Sequence, residues 1–191
     1  MTPFSKTRSG LMSFLENVLY IGGAVALAFV IQTFVIRPFI VSGTSMVPEI
    51  QDGQYMIIDE ITYRTHEPQR GDIVVFKAPP EPTKYYIKRV IGLPGETVEI
   101  SGSKVTIVNK EHPGGFTLDE PYIKNQSTDY MSIKVPQGEY FVMGDNRNGS
   151  YDSRAWGTLP RENIRGRALL RLLPLSQIDY LPAKATYEET K

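Results

Sequence analysis

The stretches "DIVVFK" (residues 72–77) and "YYIKRVI" (residues 85–91) decide the fold of this chain. Both are short runs rich in β-branched and aromatic residues, which favour extended strands. Glycine and proline residues lie on either side of them, as expected where strands end in turns. These stretches therefore predict strands of an antiparallel sheet.

Five further runs after Pro38 have the same character, at residues 54–59, 96–100, 104–109, 131–135 and 139–143. The connection Ser101-Gly102-Ser103 predicts a hairpin, and "GLPGE" (92–96) has proline before glycine, as a type II turn requires. The stretch "RALLRLLPL" (167–175) predicts a final strand or a surface segment, too short and too charged to cross a membrane. The fold class is mainly β, with an antiparallel β-sheet or barrel-like domain.

An uncharged run precedes this β-rich region. Residues 17–36 carry no charged side chain, with Glu16 before them and Arg37 after. About twenty helical residues rise about 30 Å, the thickness of the hydrocarbon core of a bilayer. A cleavable signal peptide has a shorter apolar core that ends at a small-x-small site, and a buried soluble helix is not apolar on all sides. We therefore expect one transmembrane helix.

The basic residues near this run predict its orientation. Lys6 and Arg8 precede the run, offset by Glu16, and Arg37 alone follows closely. Because cytoplasmic flanks carry more lysine and arginine, we expect the N-terminus in the cytoplasm. The predicted domains are a cytoplasmic segment over 1–16, a transmembrane anchor over 17–37 and an extracytoplasmic β-rich domain over 38–191.

The composition excludes several kinds of site. Lys and Arg together number 21 and Asp and Glu 21, so no net charge points to nucleic acid. No cysteine is present, which excludes disulfides, thiolate nucleophiles and Cys-ligated metals. The two histidines, His66 and His112, lie in polar, proline-containing stretches without company for a metal site or a Ser-His-Asp triad. We expect no cofactor, no metal and no nucleic-acid partner, and the sequence specifies no oligomeric state.

A nucleophilic serine here would need a base other than histidine. Lysine serves if burial lowers its pKa from about 10.4 to near neutrality. Lys88 lies within an apolar run and shares a strand face with Tyr86 and Val90. From the spacing alone it is either such a base or a lysine that extends from the rim of a sheet. Other lysines near strands, at edges or beside polar turns, are Lys77, Lys124 and Lys134.

Ser45 is the candidate nucleophile. It lies in "VSGTSMVPEI" (41–50), where Gly43 and Pro48 indicate a tight turn with an exposed hydroxyl. Taken alone, this stretch is by default an ordinary polar loop in which the serine has no special role.

Several stretches together resemble bacterial type I signal peptidase (leader peptidase), the membrane-anchored Ser-Lys protease that removes signal peptides. They follow the uncharged run in order and are "VSGTSMVP" (41–48), "RGDIVVFK" (70–77), "YYIKRVIGLPGE" (85–96) and "GDNRNGSYDSRAWG" (144–157). The resemblance implies that Ser45 is the nucleophile and Lys88 the general base. It also implies that Ser150 orients the lysine amine and that Asp152 and Arg154 brace the nearby loop.

Some positions depart from the family pattern or stay outside the chemistry. Gly43 stands where some members carry a serine whose hydroxyl helps the oxyanion hole, as in single-span members of the family. We expect the Ser45 N–H as one donor to the oxyanion and the Gly43 backbone or a water as the second. Glu49 replaces a common threonine, and surface solvation is the simplest interpretation. Asp145, Asn146 and Arg147 are interpreted as turn-forming, salt-bridged scaffold.

The function that the resemblance implies is a membrane-anchored serine endopeptidase. It would cleave signal peptides from secretory preproteins after small-x-small (Ala-x-Ala) sites, with preproteins and plasma-membrane lipid as its partners. A self-cleaving Ser-Lys repressor of the SOS type would need a DNA-binding helix-turn-helix where this chain has the uncharged run. The remaining alternative is a non-catalytic, membrane-anchored β-domain that binds exported peptides, which would have no use for both Ser45 and Lys88.

Overall fold

The structure is a computed structural model, and it describes residues 5–34, 36–124, 127–180, 183–185 and 187. The chain divides into two compact units, Met1–Arg37 and Pro38–Lys191.

The first unit is helical. Helix α1 spans Ser5–Phe34. Within the described residues, however, no helix combines the length and the apolar character needed to cross a membrane. The prediction of a transmembrane helix over residues 17–37 is therefore not supported, and residue 35 of that range lies outside the described residues.

β-Strands are the main regular structure of the second unit, and β1 begins just before it. The strands are β1 (Ile36–Ile40), β2 (Tyr55–Asp59), β3 (Ile73–Ala78), β4 (Glu81–Gly92), β5 (Thr97–Ser101), β6 (Lys104–Val108), β7 (Phe116–Thr117), β8 (Tyr130–Lys134), β9 (Glu139–Met143), β10 (Leu159–Pro160), β11 (Ile164–Leu173) and β12 (Asp179–Tyr180). A single turn of α-helix, α2, spans Ser153–Trp156. Short 3-10 turns lie at Thr62–Arg64, Arg147–Gly149, Arg161–Asn163 and Leu175–Gln177.

The strands form two sheets. The larger has the order β1-β2-β11-β3-β4-β9-β10, with β12 beside β11, and the smaller has the order β7-β6-β5-β8. Every pair whose register is described is antiparallel. The mainly β, antiparallel prediction is thus confirmed, and the stretch at 167–175 proves to belong largely to strand β11 rather than to a surface segment.

The turns differ in detail from their predictions. In the β5–β6 hairpin, Ser101 pairs with Lys104, so the connection is one residue shorter than predicted, with Gly102 at φ +60°. The predicted type II turn is present: Gly95 has φ +87°, and the Glu96 N–H donates to the Leu93 carbonyl at 3.2 Å.

Strand β3 has a hydrophobic core on each of its faces, which explains the unbroken apolar run over residues 73–76. Ile73 and Val75 pack into the loop cluster, and Val74 and Phe76 pack into the cluster on the opposite face. The loop cluster comprises Val41, Met46, Ile50, Met56, Ile58, Ile73, Val75 and Ala168. Because a strand buried on both faces has no solvent side, it lacks the alternation of a surface strand.

Candidate active site

The loop that carries Ser45 is anchored by the two buried side chains of Met46 and Ile50. They are 1% and 0% exposed and belong to the loop cluster. The Ile50 N–H donates to the Met46 carbonyl at 2.9 Å, which closes a turn between them. Ser45 itself is half-buried and lines a cleft. The packing therefore fixes the loop while it leaves the hydroxyl accessible.

Lys88 lies on β4 and reaches this hydroxyl. Its Nζ donates to Ser45 Oγ at 2.7 Å and to the Ile87 carbonyl at 2.9 Å. The side chain is nearly inaccessible, because the residue is only 4% exposed. The other lysines near strands differ: Lys77 is half-buried, and Lys124 and Lys134 are exposed, as is Lys84 at the start of β4.

Burial lowers the pKa of Lys88 from 10.5 to about 8, although the charges of Asp152 and Asp145 act to raise it. Each pKa unit changes the protonation ratio tenfold, so the neutral fraction of the amine at pH 7 increases roughly 300-fold. A lysine in this environment can accept a proton near neutral pH.

Asp145 forms a buried ion pair with Arg89, the residue next to Lys88. Arg89 Nε and Nη2 donate to the two carboxylate oxygens at 2.8 and 2.6 Å, and the Tyr122 ring lies 4.1 Å from the guanidinium carbon. Burial acts to lower the pKa of Arg89, but the hydrogen bonds and charge of Asp145 outweigh it and raise that pKa. Arg147 is likewise paired, with Glu120 at 2.5 Å. Both arginines are therefore charged and held in place.

Asp152 is fully buried and ties together both ends of its own loop. It accepts hydrogen bonds from the Gly144 N–H at 3.0 Å and from Arg154 Nε and Nη2 at 2.8 Å each. It also accepts from the Arg154 N–H at 3.2 Å, at the start of α2. The Asp152–Arg154 pair thus holds the loop over residues 144–154 in one shape.

Gly144 brings Ser150 close to the nucleophile loop. A Cβ at position 144 would lie 2.3 Å from Ser150 Oγ and 2.4 Å from the Ser45 carbonyl oxygen, so only glycine fits there. The Ser150 hydroxyl is buried and has no hydrogen-bond partner within the described part of the chain. A buried hydroxyl without a partner costs about 1–3 kcal/mol, so its presence requires a reason.

Two residues hold the Ser45 loop from two sides: Asp52, which the sequence did not indicate, and Asn146, which was interpreted as turn-forming scaffold. Asp52 Oδ1 accepts the Gly43 N–H at 2.7 Å, where Gly43 has φ +102°. Asn146 donates from its backbone to the Ser45 carbonyl at 3.0 Å and from its side chain to the Thr44 carbonyl at 3.2 Å. The Gly43 N–H, one of the two expected candidates for the second oxyanion donor, is therefore hydrogen-bonded within the chain. The "QDG" turn signal and the asparagine of "GDN" mark these positions in the sequence without indicating their contacts.

The cleft beside Ser45 and Lys88 has a volume of about 410 Å³. Its walls are mostly apolar, and they include Phe39, Met56 and Ile87. Such a cleft suits small apolar side chains of an extended peptide.

Neither histidine lies in this cleft. His66 lines a separate pocket with Arg167, and the His112 ring packs 5.0 Å from the Phe116 ring. Among the residues that the structure describes, no group of three or more His, Asp or Glu side chains could hold a metal ion.

Comparison with known proteins identifies the family. Residues 14–173 match the family described as "Signal peptidase, peptidase S26". The chain belongs to this family. The S26 family consists of serine proteases, and the chain is accordingly a serine endopeptidase, as its resemblance to type I signal peptidases implied.

Curated S26 relatives extend over most of the chain. "Signal peptidase I" of Leptolyngbya laminosa is 40% identical over 182 residues, which are 91% of this chain and 86% of that protein. "Signal peptidase IB" of Staphylococcus aureus (strain MRSA252) is 32% identical over 185 residues, 87% of this chain and 93% of that protein. A crystal structure of a signal peptidase I from Enterococcus faecalis V583 has 35% identity and a TM-score of 0.46, and the match covers 53% of this chain and 97% of that one. The homologues support a role in signal-peptide cleavage.

Replacing Lys88 with methionine (K88M) is expected to stabilise the folded protein below about pH 8, because it removes a buried ammonium group. The pKa of Lys88 is lower when folded than its ordinary 10.5, so the unfolded chain binds the proton more readily. The unaltered protein should therefore gain stability as the pH rises from about 8 to about 10.5. Between about pH 6 and about pH 10.5 its stability relative to K88M should rise by an amount on the order of 3 kcal/mol, the free energy that corresponds to the lowered pKa of Lys88.

Urea denaturation of both proteins at about pH 6 and about pH 10.5 measures this difference. K134M, at an exposed position on β8, is the control: it keeps Lys88, so its stability relative to the unaltered protein should be the same at both pH values. An equal K88M effect at both pH values would contradict the buried-ammonium assignment.

Proposed function

We propose that this protein is a Ser-Lys dyad peptidase that cleaves signal peptides from secretory preproteins after small-x-small (Ala-x-Ala) sites. The observation that carries the proposal is the 2.7 Å contact between Lys88 Nζ and Ser45 Oγ, made by a buried lysine. Membership in the S26 family supplies the reaction class, and the apolar cleft beside the pair suits the proposed substrate.

In the proposed reaction, neutral Lys88 accepts the proton of the Ser45 hydroxyl while Oγ attacks the scissile carbonyl carbon. The tetrahedral intermediate collapses to an ester on Ser45, and the Lys88 ammonium gives its proton to the departing amine. A water then attacks the ester carbonyl and passes a proton to Lys88. That proton returns to Ser45 Oγ as the signal peptide leaves as a carboxylic acid, which releases its remaining proton to solvent as the enzyme is restored.

Ser150 is proposed to orient the amine of Lys88. Its buried hydroxyl has no partner in the described chain, and it lies against Gly144 beside the Ser45 loop. In this proposal the hydroxyl hydrogen-bonds to the amine, and Asp152 and Arg154 keep it there by bracing the loop. The hydrogen bond from Ser150 and the bracing by Asp152 and Arg154 thus act on the base Lys88 rather than on the substrate.

The proposed oxyanion hole takes the Ser45 N–H as one donor. The second donor is proposed to be a water, because Asp52 already holds the Gly43 N–H. One missing donor costs about 3 kcal/mol of transition-state stabilisation, so a second is needed.

Separate Ser45→Ala and Lys88→Ala variants are expected to lose cleavage of a preprotein with an Ala-x-Ala site. The first lacks the attacking oxygen and the second lacks the base, and losses of at least about 10⁴-fold are typical of such changes. Product size and N-terminal sequence, measured in detergent or lipid, report the reaction, and K134M is the matched control for a lysine substitution away from the cleft.

Survival of activity in Lys88→Ala would direct the search for the base to Lys77 or Lys84. Absence of cleavage by the folded, unaltered protein across several preproteins would favour the alternative of a peptide-binding β-domain.

The cleavage rate is expected to rise with pH. The reactive form of Lys88 is neutral, so its population increases about tenfold per pH unit below the lysine pKa of about 8 and levels off above it. Single-turnover rates from about pH 6 to about pH 10 measure this profile, with substrate saturating so that binding does not contribute. A flat profile in that range would contradict the assignment of Lys88 as base.

We also propose that the domain over residues 38–191 works on the extracytoplasmic face of the cell membrane, with lipid as a second partner. Support comes from the substrate class, because signal peptides have an apolar segment that enters the bilayer. Added protease should digest the domain in right-side-out membrane vesicles and spare it in inverted ones. The opposite pattern would contradict this location.

A further inference from the structure

A short segment near the end of the chain packs against the residue that follows Lys88. The C-terminal segment comprises the described residues 183–185 and 187. It lies beyond the residues 14–173 that match the S26 family, so the family assignment does not account for it.

The backbone of this segment completes the surroundings of Arg89. The Ala183 carbonyl accepts a hydrogen bond from Arg89 Nη1, which also donates to the Gly71 carbonyl at 3.2 Å. The Ala185 N–H donates to the same Gly71 carbonyl at 3.4 Å. Arg89 Nε and Nη2 donate to Asp145, so the segment accepts a hydrogen bond from Nη1, which does not take part in the ion pair.

Side chains hold the segment at two further points. Lys184 Nζ lies 3.5 Å from the buried carboxylate of Asp72. The Tyr187 hydroxyl forms a hydrogen bond with the Tyr122 hydroxyl, and the Tyr122 ring stacks on the Arg89 guanidinium. The segment therefore encloses Arg89 both directly and through Tyr122.

The fit between the segment and the domain is close. A Cβ on Gly71 would lie 1.9 Å from the Ala185 carbonyl oxygen, so the two backbones approach as closely as glycine allows. Ala183 has φ +60°, an unfavourable conformation for alanine that the contacts around it must stabilise. These features indicate that the segment packs against the domain in one defined position.

Arg89 connects the C-terminal segment to the proposed active site. Its partner Asp145 has Gly144 and Asn146 as its chain neighbours. Gly144 lies against Ser150 and the Ser45 carbonyl, and Asn146 donates hydrogen bonds to the Ser45 and Thr44 carbonyls. A shift of Asp145 would move both neighbours, because they are joined to it by rigid peptide units.

We propose that the C-terminal segment is a positioning element of the active site: it holds Arg89 in its pair with Asp145 and thereby keeps the loop around Asp145 against the Ser45 loop. This inference rests on the proposed function. The segment's residues do not line the cleft, so it acts on the reacting groups and not on substrate binding.

The protonation of Lys88 reports this positioning. The charged and titratable groups that face Lys88 or pair with those that do are Asp145, Asp152, Arg89, Arg154, Arg147 and Tyr86. Loss of the segment would admit water near Arg89 and weaken its neutralisation of Asp145. Less burial and a less neutralised carboxylate both raise the pKa of Lys88. The pH profile should therefore move towards higher pH.

The test compares Ala183→Pro with Ala183→Gly. Proline is locked near φ −65° and cannot adopt the conformation of residue 183, whereas glycine adopts it readily. We expect Ala183→Pro to move the midpoint of the pH profile up by about one pH unit and to lower kcat at pH 7 about tenfold, with KM within about twofold. Ala183→Gly should leave kcat, KM and the midpoint unchanged. A purely structural role would lower the folded fraction without moving the midpoint.

A second measurement separates this inference from the proposed function. Carbon-13 NMR of the Lys88 Cε, assigned by comparison with Lys88→Arg, follows the titration of Lys88 without any cleavage. A raised pKa in Ala183→Pro but not in Ala183→Gly supports the inference even if no preprotein is cleaved. Normal cleavage by the unaltered protein, with identical Lys88 titrations in both variants, would overturn the inference and leave the proposed function standing.

If Ala183→Pro does not fold, Lys184→Met replaces it, with Lys184→Arg as the control that keeps the ion pair with Asp72. A smaller shift in the same direction is expected for Lys184→Met. No difference between the two Lys184 variants would then overturn the inference.

Discussion

The burial of one ammonium group, that of Lys88, is the constraint on which the arrangement of the site depends. A charged amine in an apolar environment is unfavourable unless it is paired with an opposite charge. Here burial shifts the protonation equilibrium of Lys88 towards the neutral amine. Unpaired carboxylates at Asp145 and Asp152 would shift this equilibrium towards the ammonium form, but each of them forms an ion pair with an arginine. A serine hydroxyl at 2.7 Å is then the partner of a lysine that can become a base near neutral pH.

The surrounding loops are shaped mainly by hydrogen bonds to carboxylates, of which those of Asp145 and Asp152 are buried and that of Asp52 is exposed. Asp145 orders Arg89, Asp152 orders the Gly144 N–H and Arg154, and Asp52 holds the Gly43 N–H. Buried ion pairs add little net stability, yet removing one partner leaves an uncompensated charge at a cost of about 3–5 kcal/mol. Their effect is therefore to select one loop geometry, and the C-terminal segment extends the same network through Arg89.

Sequence patterns predicted most of the longer strands, because a buried strand is rich in β-branched and aromatic residues. Strand β1 was missed, since its first two residues were assigned to the predicted transmembrane anchor. The two-residue strands β7, β10 and β12 leave no such sequence pattern, since their existence depends on a partner strand. The first residues of β4 were also missed, because Glu81, Pro82 and Lys84 are poor strand formers. The predicted transmembrane anchor had an equally clear pattern, but it is not supported by the described helix.

The sequence by itself determined the mainly antiparallel β fold and drew attention to Ser45 and Lys88, through turn residues and a lysine in an apolar strand. It also determined, through matching motifs, the family to which the chain belongs. Only the tertiary structure decided that Lys88 is buried and meets Ser45, that Gly43 is held by Asp52, and that the C-terminal segment encloses Arg89. Local residue preferences act over a few neighbours, whereas these contacts join positions 43, 9 and 94 residues apart, and the packing of the whole domain sets their distances.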